Sequence, residues 1–407
     1  MNNIRLKSMF FLILFLASCG NGHKHNYQEK KIVTPVIPIK AKPKINVYIE
    51  NSASMDGFVN KGNDFTTFVS NFLNDTYIKY TEDINLYYIN SRIIPLGNDL
   101  NEFATRLNPS DFKKMGGNRG ATKIYELLDT ILKATNNNTI SFFITDGIFS
   151  PGKGKDSQKY INDQYNGIKR IFSNFFKTNP NAAVVVYQFL SPFNGIFYNR
   201  HDKPIYKVEE VLPYYIWIIG NIENVKDLME NVPIERIASK GSYKIFTAEG
   251  RKKVNYAIKI NTGKFDLDKS NPKNTIINLR KDGRNNKVTF AVDVDFSSYV
   301  LNNEYLLDKN NYSLNNNNYD FSIKKATKNP YGYTHTLVFS ADKVYKGILT
   351  IKLNKTNLPS WIFEDNDDEG LMAIRGKTYG IKYQIQGVHE AFSANDESYT
   401  EITINIK

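Results

Sequence analysis

The sequence predicts an α/β chain in two folded parts: a Rossmann-like, doubly wound, mostly parallel sheet over residues 44–235, then an all-β, sandwich-like domain over residues 236–407. Up to about residue 235, apolar runs of strand length alternate with segments of helical period. Beyond it the hydrophobic period becomes two, and clusters of Asn, Gly and Asp separate the runs. The length agrees, since 407 residues exceed one average domain and suit two, each able to bury a core.

At the start of the chain, basic Arg5 and Lys7 precede an apolar run at residues 9–16, broken by Ala17, Ser18, Cys19 and Gly20. The run is far short of the about 20 residues that cross a bilayer, and the layout is that of a signal peptide over residues 1–18. Leu16, Ala17, Ser18 and Cys19 resemble the lipobox of bacterial lipoproteins, which implies cleavage before Cys19 and a lipid anchor on its thiol. Cys19 is the sole cysteine, so no disulfide forms and stability must come from packing. Residues 19–43 read as a lipidated, flexible tether, with Lys24, Lys30, Lys31, Lys40 and Lys42 beside Pro35, Pro38 and Pro43 and no apolar periodicity. Gly20 and Asn21 follow the cysteine without an aspartate, so the expected location is the outer membrane, facing the periplasm. The formal charge of +12 is spread over scattered lysines and marks no groove for nucleic acid.

Strands are expected at residues 45–49, 84–89, 140–145, 182–190 and 214–220, all continuous apolar runs suited to a buried sheet. Between them, Ile124, Leu127, Leu128, Ile131 and Leu132 follow helical spacing, as do Ile161, Tyr165, Ile168, Phe172 and Phe175, each set with charges on its other face. Strands alternating with helices imply parallel crossovers, and ligands of such sheets bind beyond the strands' carboxyl ends.

Three short segments fall at those ends. Glu50, Asn51, Ser52, Ala53, Ser54 and Met55 follow the first strand; Gly120, Ala121 and Thr122 open a helix; Thr145, Asp146 and Gly147 close the fourth strand. Together they resemble the von Willebrand factor A domain, in which an Asp-x-Ser-x-Ser motif, a threonine and an Asp-Gly form a metal-ion-dependent adhesion site. The resemblance covers residues 44–235. It implies that Ser52, Ser54 and Thr122 ligate a metal, that Asp146 acts directly or through water, and that an acidic group of a protein partner fills the open position. Hydroxyl and carboxylate oxygens are hard ligands, which makes Mg2+ the expected ion, with Mn2+ and Ca2+ as alternatives. Glu50 stands where the family has aspartate, so its carboxylate reaches one methylene further. The other reading of the same residues is a vestigial site in a structural subunit, with the hydroxyls capping helix ends and Asp146 making a turn with Gly147.

The second half alternates at Val254, Tyr256, Ile258, Ile260, at Val288, Phe290, Val292, Val294, Phe296, and at Ile402, Ile404, Ile406, with no long helical pattern after residue 235. Asp293 and Asp295 are expected to face solvent, and residues 365–370 to form an exposed turn. No nucleophile elbow, zinc-protease helix or phosphate loop occurs in the chain. A hydrolase would need Ser52 or Ser54 with Asp146 and the distant His201, so the expectation is a binding lipoprotein and not an enzyme.

Overall fold

The computed structural model describes residues 41–60, 63–120, 123–237, 243–327, 331–355, 358–394 and 396–407. The expected signal peptide, Cys19, the tether up to residue 40, and Thr122 of the expected metal site lie outside the described residues. Residues Lys42–Lys407 form one compact unit.

In this unit the first sheet contains β1 (Lys44–Glu50), β2 (Ile84–Ile89), β3 (Ile93–Gly97), β4 (Thr139–Thr145), β5 (Ala182–Tyr198), β6 (Pro204–Asn221) and β7 (Tyr243–Glu249). Among the described residues their order is β3-β2-β1-β4-β6-β5-β7. β1 runs parallel to β2 and β4, which is the part that the alternation of strands and helices predicts. The remaining pairings are antiparallel, so the sheet as a whole is mixed. At the β4 side the cause is a long hairpin. Residues 199–203 are too few to carry a crossover helix, so β6 turns straight back and enters between β4 and β5.

The helices of this half are α1 (Asp64–Lys79), α2 (Leu100–Arg106), α3 (Pro109–Lys114), α4 (Ile124–Ala134), α5 (Ser157–Thr178), α6 (Ile222–Asn231) and α7 (Ile234–Ile237). α1, α2, α3, α6 and α7 bury Phe65, Phe72, Phe103, Phe112, Val225 and Ile234 against one face of the sheet. α4 and α5 bury Leu128, Ile131, Ile168 and Phe172 against the other, through the stripes their spacing predicts. The sheet is covered on both faces.

The second half supplies β8 (Asn255–Lys259), β9 (Lys264–Leu267), β10 (Thr275–Arg280), β11 (Val288–Asp295), β12 (Tyr312–Leu314), β13 (Asp320–Lys325), β14 (His335–Ala341) and β15 (Gly347–Asn354). The two-residue strands β16 (Asn366–Asp367) and β17 (Thr378–Tyr379) follow, then β18 (Ser398–Ile406). Sheets β12-β15-β18-β10-β9 and β13-β14-β11-β8 share one core that includes Phe290, Val292, Leu337, Ile351 and Ile404. This is the β-rich part that the period of two predicts.

The helices here are α8 (Asn303–Leu307), α9 (Trp361–Glu364) and α10 (Ile381–Ser393). α10 overturns the expectation that no long helix follows residue 235: it has 13 residues. It also crosses back, burying Ile381, Ile385, Val388 and Phe392 in the core of the first sheet beside α5. β7 likewise lies past residue 235 yet completes the first sheet. The spacing of Ile381, Ile385, Val388 and Phe392 is helical and legible, but glycines at 380 and 387 interrupt the pattern. Two polar sites also differ from expectation. Asp293 is buried, with Lys259 Nζ at 2.9 and 3.0 Å and the Thr336 hydroxyl at 2.5 Å. Within 365–370, Asn366 and Asp367 are buried, and Asp367 accepts the Glu369 and Gly370 amides at 2.9 Å.

Candidate metal site

Parallel pairing sets the site. Ile49 of β1 lies beside Ile144 of β4, so Glu50 and Thr145 leave the sheet together at its carboxyl edge. Beyond Glu50 the chain passes through Asn51 and Ser52 into a 3₁₀ turn, Ala53–Gly57. Beyond Thr145 it turns at Asp146 and Gly147, the latter at φ +66°, a conformation that favours glycine. Glu50, Asn51, Ser52, Thr145 and Asp146 are all buried.

Three of the expected ligands converge. The Ser52 and Ser54 hydroxyl oxygens are 2.9 Å apart, and Ser54 lies near enough to Asp146 to draw its carboxyl down against burial. Ser52 is the N-cap of the 3₁₀ turn but makes no side-chain cap bond, so its hydroxyl is not spent on the helix end. Asp146 Oδ1 accepts the Ile148 amide at 3.0 Å, which is the turn expected of an Asp-Gly pair. Its Oδ2 is buried with no hydrogen-bond partner among the described residues. Burial pushes this carboxyl up to about 6, against the opposing pull of the Ser54 hydroxyl and the Ile148 amide.

Glu50 is held differently. The Thr145 hydroxyl donates to Glu50 Oε2 and accepts the Gly147 amide at 2.8 Å, so Thr145 links the Glu50 carboxylate to the Asp-Gly turn. The longer glutamate arm reaches the strand end, where Thr145 anchors it.

Sequence reasoning missed four supports. Arg119 Nε donates to the Asn51 carbonyl at 2.7 Å and Nη2 to the Ser52 carbonyl at 3.1 Å, and the guanidinium also pairs with Asp56. The Asn51 amide oxygen accepts Asn90 Nδ2 at 2.7 Å, tying the loop to the end of β2. From the hairpin, Phe193 packs against Gly57 so closely that a Cβ there would lie 2.3 Å from its ring. From α10, Gln384 Nε2 donates to the Gly147 carbonyl at 2.5 Å. Arg119 adjoins the Gly120 motif and was within reach of a sequence reading. The partners of Asn51, Gly57 and Gly147 carry no local signal.

Other candidate chemistry does not assemble. His201 sits at the tip of the β5–β6 hairpin, where its Nε2 accepts Arg200 Nε at 3.3 Å, and among the described residues no hydrogen bond joins it to Ser52 or Ser54. Among the described residues no three His, Cys, Asp or Glu side chains group as metal ligands. Among the described residues the candidate set is instead two carboxylates, Glu50 and Asp146, and two hydroxyls, Ser52 and Ser54.

No family model matches the chain, and no curated protein matches it. Among solved structures, a crystal structure of a protein from Legionella pneumophila str. Philadelphia 1, of family DUF519, is 11% identical, with 52% of this chain and 91% of that chain covered at a TM-score of 0.19. A likeness of that size supports nothing about fold or activity.

Proposed function

We propose that the protein is an envelope lipoprotein, held by lipid on Cys19 at the outer membrane and facing the periplasm, that binds a protein partner through a von Willebrand factor A-like domain with a divalent metal, Mg2+ first. The observation that carries this reading is Asp146 Oδ2, buried and without a hydrogen-bond partner among the described residues, beside the paired Ser52 and Ser54 hydroxyls. A buried unpaired carboxylate oxygen is costly unless a cation or donor meets it. The donor set of Ser52, Ser54 and Asp146 fits a hard cation, with Thr122 the fourth group by its motif. When bound, the metal supplies a positive centre with a position open to a partner's carboxylate.

The chain's own residues hold this arrangement in place. Thr145 fixes Glu50 beside the turn, Arg119 clamps the carbonyls of Asn51 and Ser52, and the two serine hydroxyls pair with each other. No bond-breaking step is proposed.

Thermal unfolding with 5 mM MgCl2 tests the reading. A ligand bound only by the native state adds RT ln(1 + [L]/Kd), about 2.7 kcal/mol at one hundred times Kd. The wild type should gain stability, Asp146→Ala should lose the gain, and Glu50→Asp should keep it. The alternative is a structural subunit with a metal-free site. The near-complete burial of Ser52 and Asp146, 4% and 1% exposed, favours that reading, and it expects no shift with magnesium, manganese or calcium.

A further inference from the structure

The β5–β6 hairpin outruns the strands on either side of it. β4 pairs with β6 only over residues 215–219, and β7 pairs with β5 only over residues 183–189, while the hairpin's own pairing continues to Tyr198 and Pro204. Residues 190–213 therefore project as a two-stranded arm, a form that is marginal in water by itself. Besides the 3₁₀ turn under Phe193, the loop between β16 and β17 props this arm. Its Gly370 carbonyl accepts the Arg200 amide at 2.7 Å, and its Gly376 amide donates to the Val211 carbonyl at 3.0 Å. The loop also closes on itself, where the Lys377 amide meets the Ile374 carbonyl at 3.0 Å.

Between those ties the loop presents apolar side chains to solvent. Leu371, Met372 and Ile374 are 41%, 61% and 36% exposed, whereas Ala373 between them packs against the core of the first sheet. Three exposed apolar side chains within four residues, held at both ends, form a patch that burial against another surface would stabilise. The charges around it are of both signs. Before the patch, Asp365, Asp368 and Glu369 are already paired with Lys244, Lys382 and Arg200. After it, Arg375 and Lys377 are exposed and have no ion-pair partner among the described residues. Next to Val211 on β6, Glu209 and Glu210 are exposed and likewise without an ion pair among the described residues. The alternation of the strand puts one glutamate on each face of the arm.

An apolar centre with unpaired cations and unpaired anions beside it is complementary to itself under a two-fold rotation. A partner of one sign, such as an anionic bilayer, would meet Glu209 and Glu210 as like charges. We propose that residues 371–377 and the adjoining part of the β6 arm form the interface of a two-fold dimer of this chain. Arg375 and Lys377 of one copy face Glu209 and Glu210 of the other, and the two sets of Leu371, Met372 and Ile374 meet between them. Anchoring both copies to one membrane would raise their effective concentration, but the interface depends neither on the anchor nor on the metal reading.

Sedimentation equilibrium of the full chain carrying Cys19→Ala, so that no lipid drives association, tests this. At about 100 µM the chain should be mainly dimeric, and Met372→Asp, at an exposed position, should weaken the dimer about tenfold or more. Glu209→Lys with Glu210→Lys, and separately Arg375→Glu with Lys377→Glu, should each weaken self-association about tenfold or more by setting like charges against each other. Mixed in equal amounts, the two charge-reversed chains should form a heterodimer within about threefold of the unreversed affinity, a rescue that misfolded chains cannot give. The proposal is overturned if the unreversed chain is monomeric at that concentration, if Met372→Asp dimerises as well as its parent, or if the mixed charge-reversed chains stay apart. Binding of the monomeric parent, and not of Met372→Asp, to phosphatidylglycerol vesicles would also overturn it, by assigning the loop to the bilayer.

Discussion

Asp146 concentrates the chemistry of the site in one side chain, and its ionisation has a measurable consequence. Its carboxyl moves from an ordinary 3.8 up to about 6 because burial penalises the charge. Between those values the native state keeps a proton that the unfolded chain has released. Stability therefore falls as pH rises from about 4 to about 6, by on the order of 3 kcal/mol in the presence of chelator. Urea midpoints taken across that range should show the decline in wild type and not in Asp146→Asn, where no proton is exchanged. An equal slope in the variant would assign the effect to another group. Magnesium should oppose the decline, because a cation at Oδ2 stabilises the ionised form. At this scale the sequence marked Ser52, Ser54 and Asp146, and the structure brings those three together. It could not mark Thr145 as the group that holds Glu50, since a threonine ending a buried strand looks like any other.

The element that links the site to the rest of the fold is α10. It starts at Gly380, whose φ of +85° is a left-handed conformation, and a Cβ there would lie 2.3 Å from the buried Phe149 ring. One turn later Gln384 reaches the Gly147 carbonyl. Gly380→Ala meets both the backbone penalty and the clash, and Phe149 is too enclosed to move aside. A loss of about 2–4 kcal/mol is expected by chemical denaturation, from the strained φ and overpacking together. A neutral substitution would mean that the start of α10 is not anchored on the Asp-Gly turn. The 3₁₀ turn has a matching support from the other side in Phe193 and Gly195, where a Cβ on Gly195 would approach the Gly57 Cα to 2.9 Å.

Across the whole unit, the chain visits the first sheet, leaves for the sandwich, returns for α9 and α10, and ends in the sandwich with β18. A fragment of residues 42–235 therefore lacks β7 and α10. Ile381, Ile385, Val388 and Phe392 each contribute about 1.5–3 kcal/mol by leaving water, so their loss is comparable to the whole stability of an ordinary domain. That fragment should be unfolded or aggregated by circular dichroism and gel filtration, whereas residues 42–407 should fold. A cooperative, monomeric 42–235 fragment would show that the first sheet needs neither β7 nor α10.

Periodicity and near neighbours in the chain determined a good deal: the buried strands β1, β2 and β4, the stripes of α4 and α5, the period of two beyond residue 250, and the clustering of polar residues at strand ends. Each of these is written within a window of ten or so residues, where side-chain spacing alone decides which face meets the core. Only the tertiary structure decided that β6 inserts between β4 and β5, that β7 completes the sheet, and that α10 returns across 237 residues of separation to touch Gly147. Those outcomes depend on which surfaces remain to be covered once the local elements exist. That is a property of packing between distant segments, and no local window of sequence contains it.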